Sequence, residues 1–333
     1  MNARILDIAV ELPEAVERSE DLARSYPEWN VAEALKHTGV LQRHLAAPGQ
    51  TALDLGEAAA RRLLARQPEW AEQVDLLVSC TQTPDHRLPG NATVLHGRLG
   101  LSSRVGAFDL GLACSGFTAG LALIHGLMRG GACRAALLVN ADTYSRLVSP
   151  KDRGTRLLFG DGAAATLLVP DADGGVLDVE WGTDGRQFQA FHVPAGGQRQ
   201  PEGPDDPFVA DGPNERRAGH IHMNGKAMLQ FTYGVIPGHV RALLARHQLE
   251  VEDIQHFFFH QASALVLDGL RSRLRAPPER WHTNLAWRGN TVSASIPLLM
   301  HDVLATGGLQ RGETALLCGF GAGLSWCSAL MRY

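Results

Sequence analysis

The chain has little of what would tie it to a membrane, a nucleic acid or an oxidising compartment. No apolar run approaches the roughly 20 residues that cross a bilayer, so no membrane span is expected. Positive charge is not in excess: 31 Lys and Arg stand against 35 Asp and Glu, a net charge of -4, which argues against nucleic acid as the main partner. Residues 1–8 hold no basic region leading into a long apolar segment, so no secretory signal is expected. Cysteine is sparse. Cys80, Cys114, Cys133, Cys318 and Cys327 are scattered, odd in number and without a CxxC pair. That pattern argues against a disulfide framework and a structural zinc site, and for a reducing compartment, the cytoplasm by default.

What is there is a chain of 333 residues, 45% hydrophobic and 20% charged, enough for a large core. The length allows two domains, or one domain built from two similar halves. Strand patterns fall at residues 4–11, 74–80, 105–112, 135–141 and 163–169, the last entered through Gly160-Asp161-Gly162. Helical patterns fall at 19–24, 30–37, 54–67 with a start at Thr51, and 117–127. The second part repeats this grammar, with a strand at 176–182, a long helical region at 225–245, and an aromatic strand ending at His260. Gly319-Phe320-Gly321-Ala322-Gly323 then leads into a strand at 324–331, mirroring the earlier glycine turn. Two halves of like plan predict a duplicated α/β unit, divided at 1–170 and 171–333, with a site where they meet. Residues 196–219, rich in Gly, Pro, Asp and Arg, are expected to form a long surface loop that can serve as a lid.

Cys114 is the most informative residue. It sits in Ala113-Cys114-Ser115-Gly116-Phe117, where a strand pattern gives way to a helix. Unpaired N–H groups and the positive dipole end at a helix start favour thiolate over thiol. The competing reading is a buried structural cysteine. His260 closes the strand Phe257-Phe258-Phe259, from which a side chain projects into a cleft; a capping or surface histidine is the alternative. Asn290, in Gly289-Asn290-Thr291, reads either as a polar site residue or as helix-start chemistry. The amides of the 319–323 glycine run can face an oxyanion or simply form a tight turn.

Taken together, a nucleophilic Cys, a later His, a later Asn and a glycine-rich turn fit thioester chemistry with an oxyanion to stabilise. The combination resembles the β-ketoacyl-acyl carrier protein synthase III family of the thiolase superfamily, across essentially the whole chain. The matching blocks are Thr38-Gly39 with Arg43-His44, Ala107-Phe108-Asp109, the Cys114 segment, Asp152-Arg153-Gly154-Thr155, Phe159 to Ala163, His260-Gln261-Ala262, Gly289-Asn290-Thr291 and the C-terminal run from Gly319. The resemblance implies a thiolase-like α/β fold, two duplicated halves in layered αβαβα order. It makes Cys114 the acyl-accepting nucleophile, and His260 with Asn290 the donors to the carbonyl oxygen of a second thioester. The amides of Cys114 and Ala322 form the oxyanion hole of the condensation step. It implies no metal or redox cofactor, an acyl-CoA or acyl carrier protein thioester as substrate, and a homodimer in which Leu88 reaches the partner's acyl tunnel.

Several positions depart from the family pattern. Ser263 replaces the Asn after His-Gln-Ala, and Ala322 replaces a glycine whose backbone N–H is the part that matters. Trp29 stands further upstream than the family's tryptophan, His37 occupies an arginine position, and Lys226 follows Gly225 where the family has Asn. Arg153 is kept. Trp29, His37, Arg153, Gly225 and Ser263 are therefore the candidate CoA- or substrate-binding residues, and a carrier-protein donor is as consistent as CoA. Arg271, Arg273 and Arg275 can make a basic docking face for an acidic carrier or an ordinary solvated helix face. The expected function is decarboxylative condensation in specialised lipid or polyketide metabolism. The alternative is a same-fold acyltransferase to a hydroxyl or amine. A papain-type hydrolase shares the order Cys, His, Asn but not the surrounding sequence, and a non-catalytic partner subunit would not need all three residues.

Overall fold

The computed structural model describes residues 1–203, 206–211 and 214–333. Two mixed sheets organise the molecule, and they share one wiring diagram. In the first, the order is Asn2–Glu11, Gly162–Asp171, Ala136–Asp142, Leu76–Cys80, Gly106–Leu110. In the second it is Gly175–Thr183, Ser325–Arg332, Thr314–Gly321, His256–Phe259. Pairing directions agree strand for strand: antiparallel, antiparallel, then parallel. The fifth strand of the first sheet, parallel to Leu76–Cys80, survives in the second only as a single parallel bridge from Phe257 to Trp281.

Helices separate and flank the sheets. Gly116–Arg129 packs against strands of both sheets, and Ser295–Ala305 does the same from the second half. Their composition explains the burial: Phe117, Leu121, Ile124 and Met128 on one helix and Ile296, Leu298, Leu299 and Met300 on the other are all buried. A helix apolar all round belongs between layers rather than on a surface. Gly120 permits the close approach, since a Cβ there would lie 2.8 Å from the Leu138 side chain. Outside the first sheet lies Ala52–Arg66, capped by Thr51, whose Oγ1 accepts from the Asp54 N–H. Outside the second lies Gly225–Arg246. The result is the αβαβα order.

Two expectations change. The 319–323 glycine run is not a turn before a strand. Gly319, Phe320 and Gly321 end the strand Thr314–Gly321, and only residues 322–324 make the hairpin. The small residues there answer to packing on Cys114 rather than to turn geometry. The 196–219 segment is not a free lid. Val209–Asp211 and Asn214–Arg216 pair as a hairpin, and Arg216 Nε donates to the buried Asp152 carboxylate at 2.7 Å. Ser149 Oγ also donates to Glu215 O. Residues 204–205 and 212–213 of that expected loop lie outside the described residues.

Candidate active site

Cys114 lies in the bend between the strand Gly106–Leu110 and the helix Gly116–Arg129, 4% exposed. The second half presses directly on it. A Cβ on Gly319 would lie 2.6 Å from Cys114 O, and one on Gly321 would lie 2.9 Å from Cys114 Cβ and 3.0 Å from Sγ. Only glycine lets the strand Thr314–Gly321 come so near. Ser115 Oγ meets Ser325 Oγ at 2.8 Å, tying the helix start to the opposite sheet. Burial first, and then the charge of Asp142, push the Cys114 thiol well above its ordinary range. The N–H groups of Cys114 and Ala322, both hydrogen-bonded to the sulfur, pull the other way. The helix start alone therefore does not make a resting thiolate: desolvation outweighs it.

His260 follows the strand His256–Phe259 and extends its pairing, its N–H donating to Cys318 O at 2.9 Å. The side chain is 2% exposed, and burial holds the imidazole pKa down at about 3, so the ring is neutral. Ser295 Oγ sits 2.7 Å from Nδ1. A hydroxyl donating there puts the ring proton on Nε2. Phe320 meets the imidazole edge-on, centroids 5.7 Å apart.

Asn290 is held by its backbone and its own side chain. Its N–H donates to Leu158 O and its carbonyl accepts from Gly160 N–H, both at 3.0 Å. Asn290 Oδ1 accepts from Val292 N–H at 3.0 Å, which fixes the amide so that Nδ2 lies 3.4 Å from His260 Nε2. Val292 adopts φ +55°, a left-handed conformation uncommon for a β-branched residue. With the ring proton on Nε2, two N–H donors stand side by side in the cavity that Cys114 also lines.

That cavity, about 780 Å³ and mostly apolar in lining, brings together Cys114, His260 and Asn290 with Trp29, His37, Arg153, Gly225 and Ser263. Arg153 opens the short helix Arg153–Arg156, capped by Asp152, while Gly225 opens the helix Gly225–Arg246, capped by Asn224. Ser263 caps Ala264–Leu274, its Oγ accepting from Val266 N–H. Trp29 is buried and stacked on Tyr26 at 4.1 Å. Ala322 takes part through its N–H. Leu88 does not line this cavity; it is 85% exposed on the surface. The three arginines do not form one stripe: Arg273 lies over the Tyr233 ring, on the far side of the helix from Arg271, and Arg275 is a left-handed C-cap. Among the described residues no group of three His, Cys, Asp or Glu is placed to hold a metal ion.

Sequence reading missed Ser295, Phe320 and Asp142. Ser295 lies four residues past the Gly289-Asn290-Thr291 motif, in a stretch that reads as a helix start, and Phe320 lies in the glycine run that reads as a turn. Nothing local marks Asp142, whose partners are 60 and 151 positions away.

The chain is similar to known proteins over essentially its whole length. Residues 108–185 match the family model for 3-oxoacyl-[acyl-carrier-protein (ACP)] synthase III, and residues 244–333 match the model of its C-terminal part. The chain is 35% identical to the β-ketoacyl-[acyl-carrier-protein] synthase III of Acidiphilium cryptum, covering 97% of this chain and 96% of that protein. It also resembles a crystal structure of 3-oxoacyl-(acyl-carrier-protein) synthase III at 39% identity and TM-score 0.96, covering all of both chains. The corresponding enzyme of Pseudomonas aeruginosa PAO1 superposes with TM-score 0.88 at 35% identity, over 100% of this chain and 98% of that one.

Proposed function

From the premise that this chain belongs to the 3-oxoacyl-[acyl-carrier-protein] synthase III family, we propose that it loads an acyl group onto Cys114 and condenses it decarboxylatively with a malonyl-type thioester. The Cys114 sulfur attacks the acyl carbonyl, the donor thiol leaves with the proton, and acyl-Cys114 remains. A malonyl-type thioester then loses CO2, and the freed electron pair builds negative charge on its carbonyl oxygen. His260 Nε2–H and Asn290 Nδ2–H receive that charge in a cavity walled by Phe159, Phe191 and Phe320. Fixed donors in a dry site stabilise an enolate more than water can, since they need no reorganisation. The carbanion attacks acyl-Cys114, the second oxyanion rests on the N–H groups of Cys114 and Ala322, and the thiol is regenerated. Thioester exchange and decarboxylation require no metal or redox cofactor.

The observation that carries this reading is the meeting of Cys114 from one half with His260 and Asn290 from the other in a single cavity. The two like sheets favour a division of the chain just after Asp171, where the last strand of the first sheet ends, one residue beyond 170/171. Retention of the paired donors favours condensation over acyl transfer to a hydroxyl or amine. At the mouth, Arg153 and Lys226 offer cations to the phosphate of a phosphopantetheine arm, which CoA and carrier proteins share. The filled face of Trp29 and the changes at His37, Lys226 and Ser263 support a carrier-protein primer and a role in specialised lipid or polyketide metabolism. Five free cysteines accord with the cytoplasm. The strand Gly106–Leu110 has one edge without a partner among the described residues and exposes Phe108, as a homodimer contact would.

Incubation with acyl and malonyl thioesters tests the reading. Wild type is expected to give an acyl adduct by intact mass and to release CO2, and Cys114→Ala to give neither adduct nor condensed product. Acyl transfer to a hydroxyl or amine without CO2 would overturn condensation, and an undiminished adduct on Cys114→Ala would overturn the nucleophile. Comparing acyl-CoA with acyl carrier protein as primer separates the donors.

A further inference from the structure

Behind the nucleophile lies a carboxylate that the proposed chemistry does not use. Asp142 ends the strand Ala136–Asp142, is 0% exposed, and makes no ion pair with Lys, Arg or His among the described residues. A buried carboxylate without a cation is costly unless hydrogen bonds replace its water. Here four donors do so, from two different halves of the chain. Oδ1 accepts from Gln82 N–H at 2.9 Å and Thr81 Oγ1 at 3.2 Å. Oδ2 accepts from Ser293 Oγ at 2.5 Å and Ser293 N–H at 3.2 Å. The two oxygens therefore divide their work: one holds the loop after Leu76–Cys80, and the other holds residue 293 of the opposite half.

Ser293 stands three residues beyond Asn290 in a turn whose middle is strained. Val292, between them, carries the left-handed φ of +55° and donates to Asn290 Oδ1 at 3.0 Å. Such a conformation in a β-branched residue persists only where surroundings over-determine it. The bonds to Ser293 supply that constraint on its C-terminal side, and the backbone bonds of Asn290 to Leu158 and Gly160 supply it on the other. We propose that Asp142 is a positioning residue for the reaction, bracing the turn from Asn290 to Ser293 against the half that carries Cys114. This rests on the reading of Asn290 as an enolate donor and says what keeps that donor aimed.

The same carboxylate acts on the nucleophile at a distance. Burial raises the Asp142 carboxyl to about 6, with its four hydrogen bonds opposing, so it is largely charged at neutral pH. The titratable groups that feel that charge are Cys80, Cys114 and Tyr144, from three neighbouring segments, and each is pushed upward, chiefly by its own burial. All three are neutral at pH 7, so Asp142 is the one charge of this group. Its charge adds to the burial that keeps Cys114 a thiol.

Two variants test the brace from its two ends. Ser293→Ala removes the 2.5 Å bond and keeps the carboxylate, while Asp142→Asn keeps the size but sets an NH2 group, which cannot accept, against one pair of the four donors. Ser293→Ala is expected to leave acyl loading within about threefold of wild type and to lower CO2 release on the order of a hundredfold, the cost of a misplaced donor. Asp142→Asn is expected to lose CO2 release similarly while acyl loading is again spared. Circular dichroism and thermal unfolding check that both variants fold. Equal losses of loading and decarboxylation in either folded variant would overturn the proposal. Asn290→Ala run in parallel keeps the two readings apart: if it still releases CO2, the donor assignment has failed, whereas if it does not and Ser293→Ala does, the brace alone has failed.

Discussion

A neutral imidazole at His260 is the condition on which the proposed enolate stabilisation depends, and it has a consequence for stability. A base whose folded pKa is depressed contributes stability that is complete above its unfolded value and is lost as pH falls through the folded one. For His260 that window runs from 6.5 down to about 3. Asp142 works the other way, because a carboxyl raised from 3.8 to about 6 favours the fold at low pH and costs stability as pH rises through that range. His260 is moved further from its ordinary value, so its sign prevails for the pair. Urea unfolding at stepped pH is expected to show wild type losing about 3 kcal/mol more stability than His260→Gln between pH 6.5 and 4. The buried amide has no proton to take up, so His260→Gln lacks that contribution and keeps the opposing one from Asp142. Parallel curves for the two proteins would mean that His260 is not held neutral.

At the scale of elements, the glycines of Thr314–Gly321 do what no side chain could. A methyl group at Gly321 would stand 2.9 Å from Cys114 Cβ and 3.0 Å from Sγ, against a nucleophile fixed by its own backbone. Gly321→Ala is therefore expected to fold but to load acyl groups on the order of a hundredfold more slowly, through displacement of the sulfur from its oxyanion donors. Normal loading by this variant would show that the strand can retreat. This strand also marks how far the sequence could be read. Local pattern sufficed for Asp253 to His260 and for the helix after Cys114, because strand and helix periods are written in adjacent residues. Pattern also paired the two halves, since each repeats the same succession of elements. It failed at residues 314–321, where Gly319 and Gly321 look like turn residues until their neighbour is known. Their reason lies some 200 positions away in the chain, as does that of Ser115, which meets Ser325. The catalytic candidates were legible because their chemistry is local to short motifs. The groups that position them, Ser295, Asp142 and Phe320, were not, because each acts across elements.

For the whole molecule, the first sheet is unfinished. Gly106–Leu110 pairs with Leu76–Cys80 along one edge, and its other edge presents unpaired backbone groups with Phe108 37% exposed. An exposed edge strand is a template for pairing with another chain. Two copies joined edge to edge by a two-fold axis would close both edges at once, because an isologous contact satisfies each chain with the same surface. Leu88, 85% exposed in the loop before the helix Asn91–Leu99, is a large apolar side chain left largely uncovered by the described residues. The helix Asn91–Leu99 packs on Gly106–Leu110, and Asp109 accepts from Ala92 N–H, so loop and edge strand are coupled. Sedimentation of wild type is expected to give a dimer, and Phe108→Asp to give monomer, since burying that carboxylate at the seam is costly. Leu88→Ala is expected to remain dimeric yet change which acyl lengths appear as adducts on Cys114, because the side chain would be lost from the partner's cavity rather than from its own. A dimeric Leu88→Ala with the wild-type adduct pattern would remove Leu88 from the acyl site, and a monomeric wild type would leave the edge strand without its proposed partner.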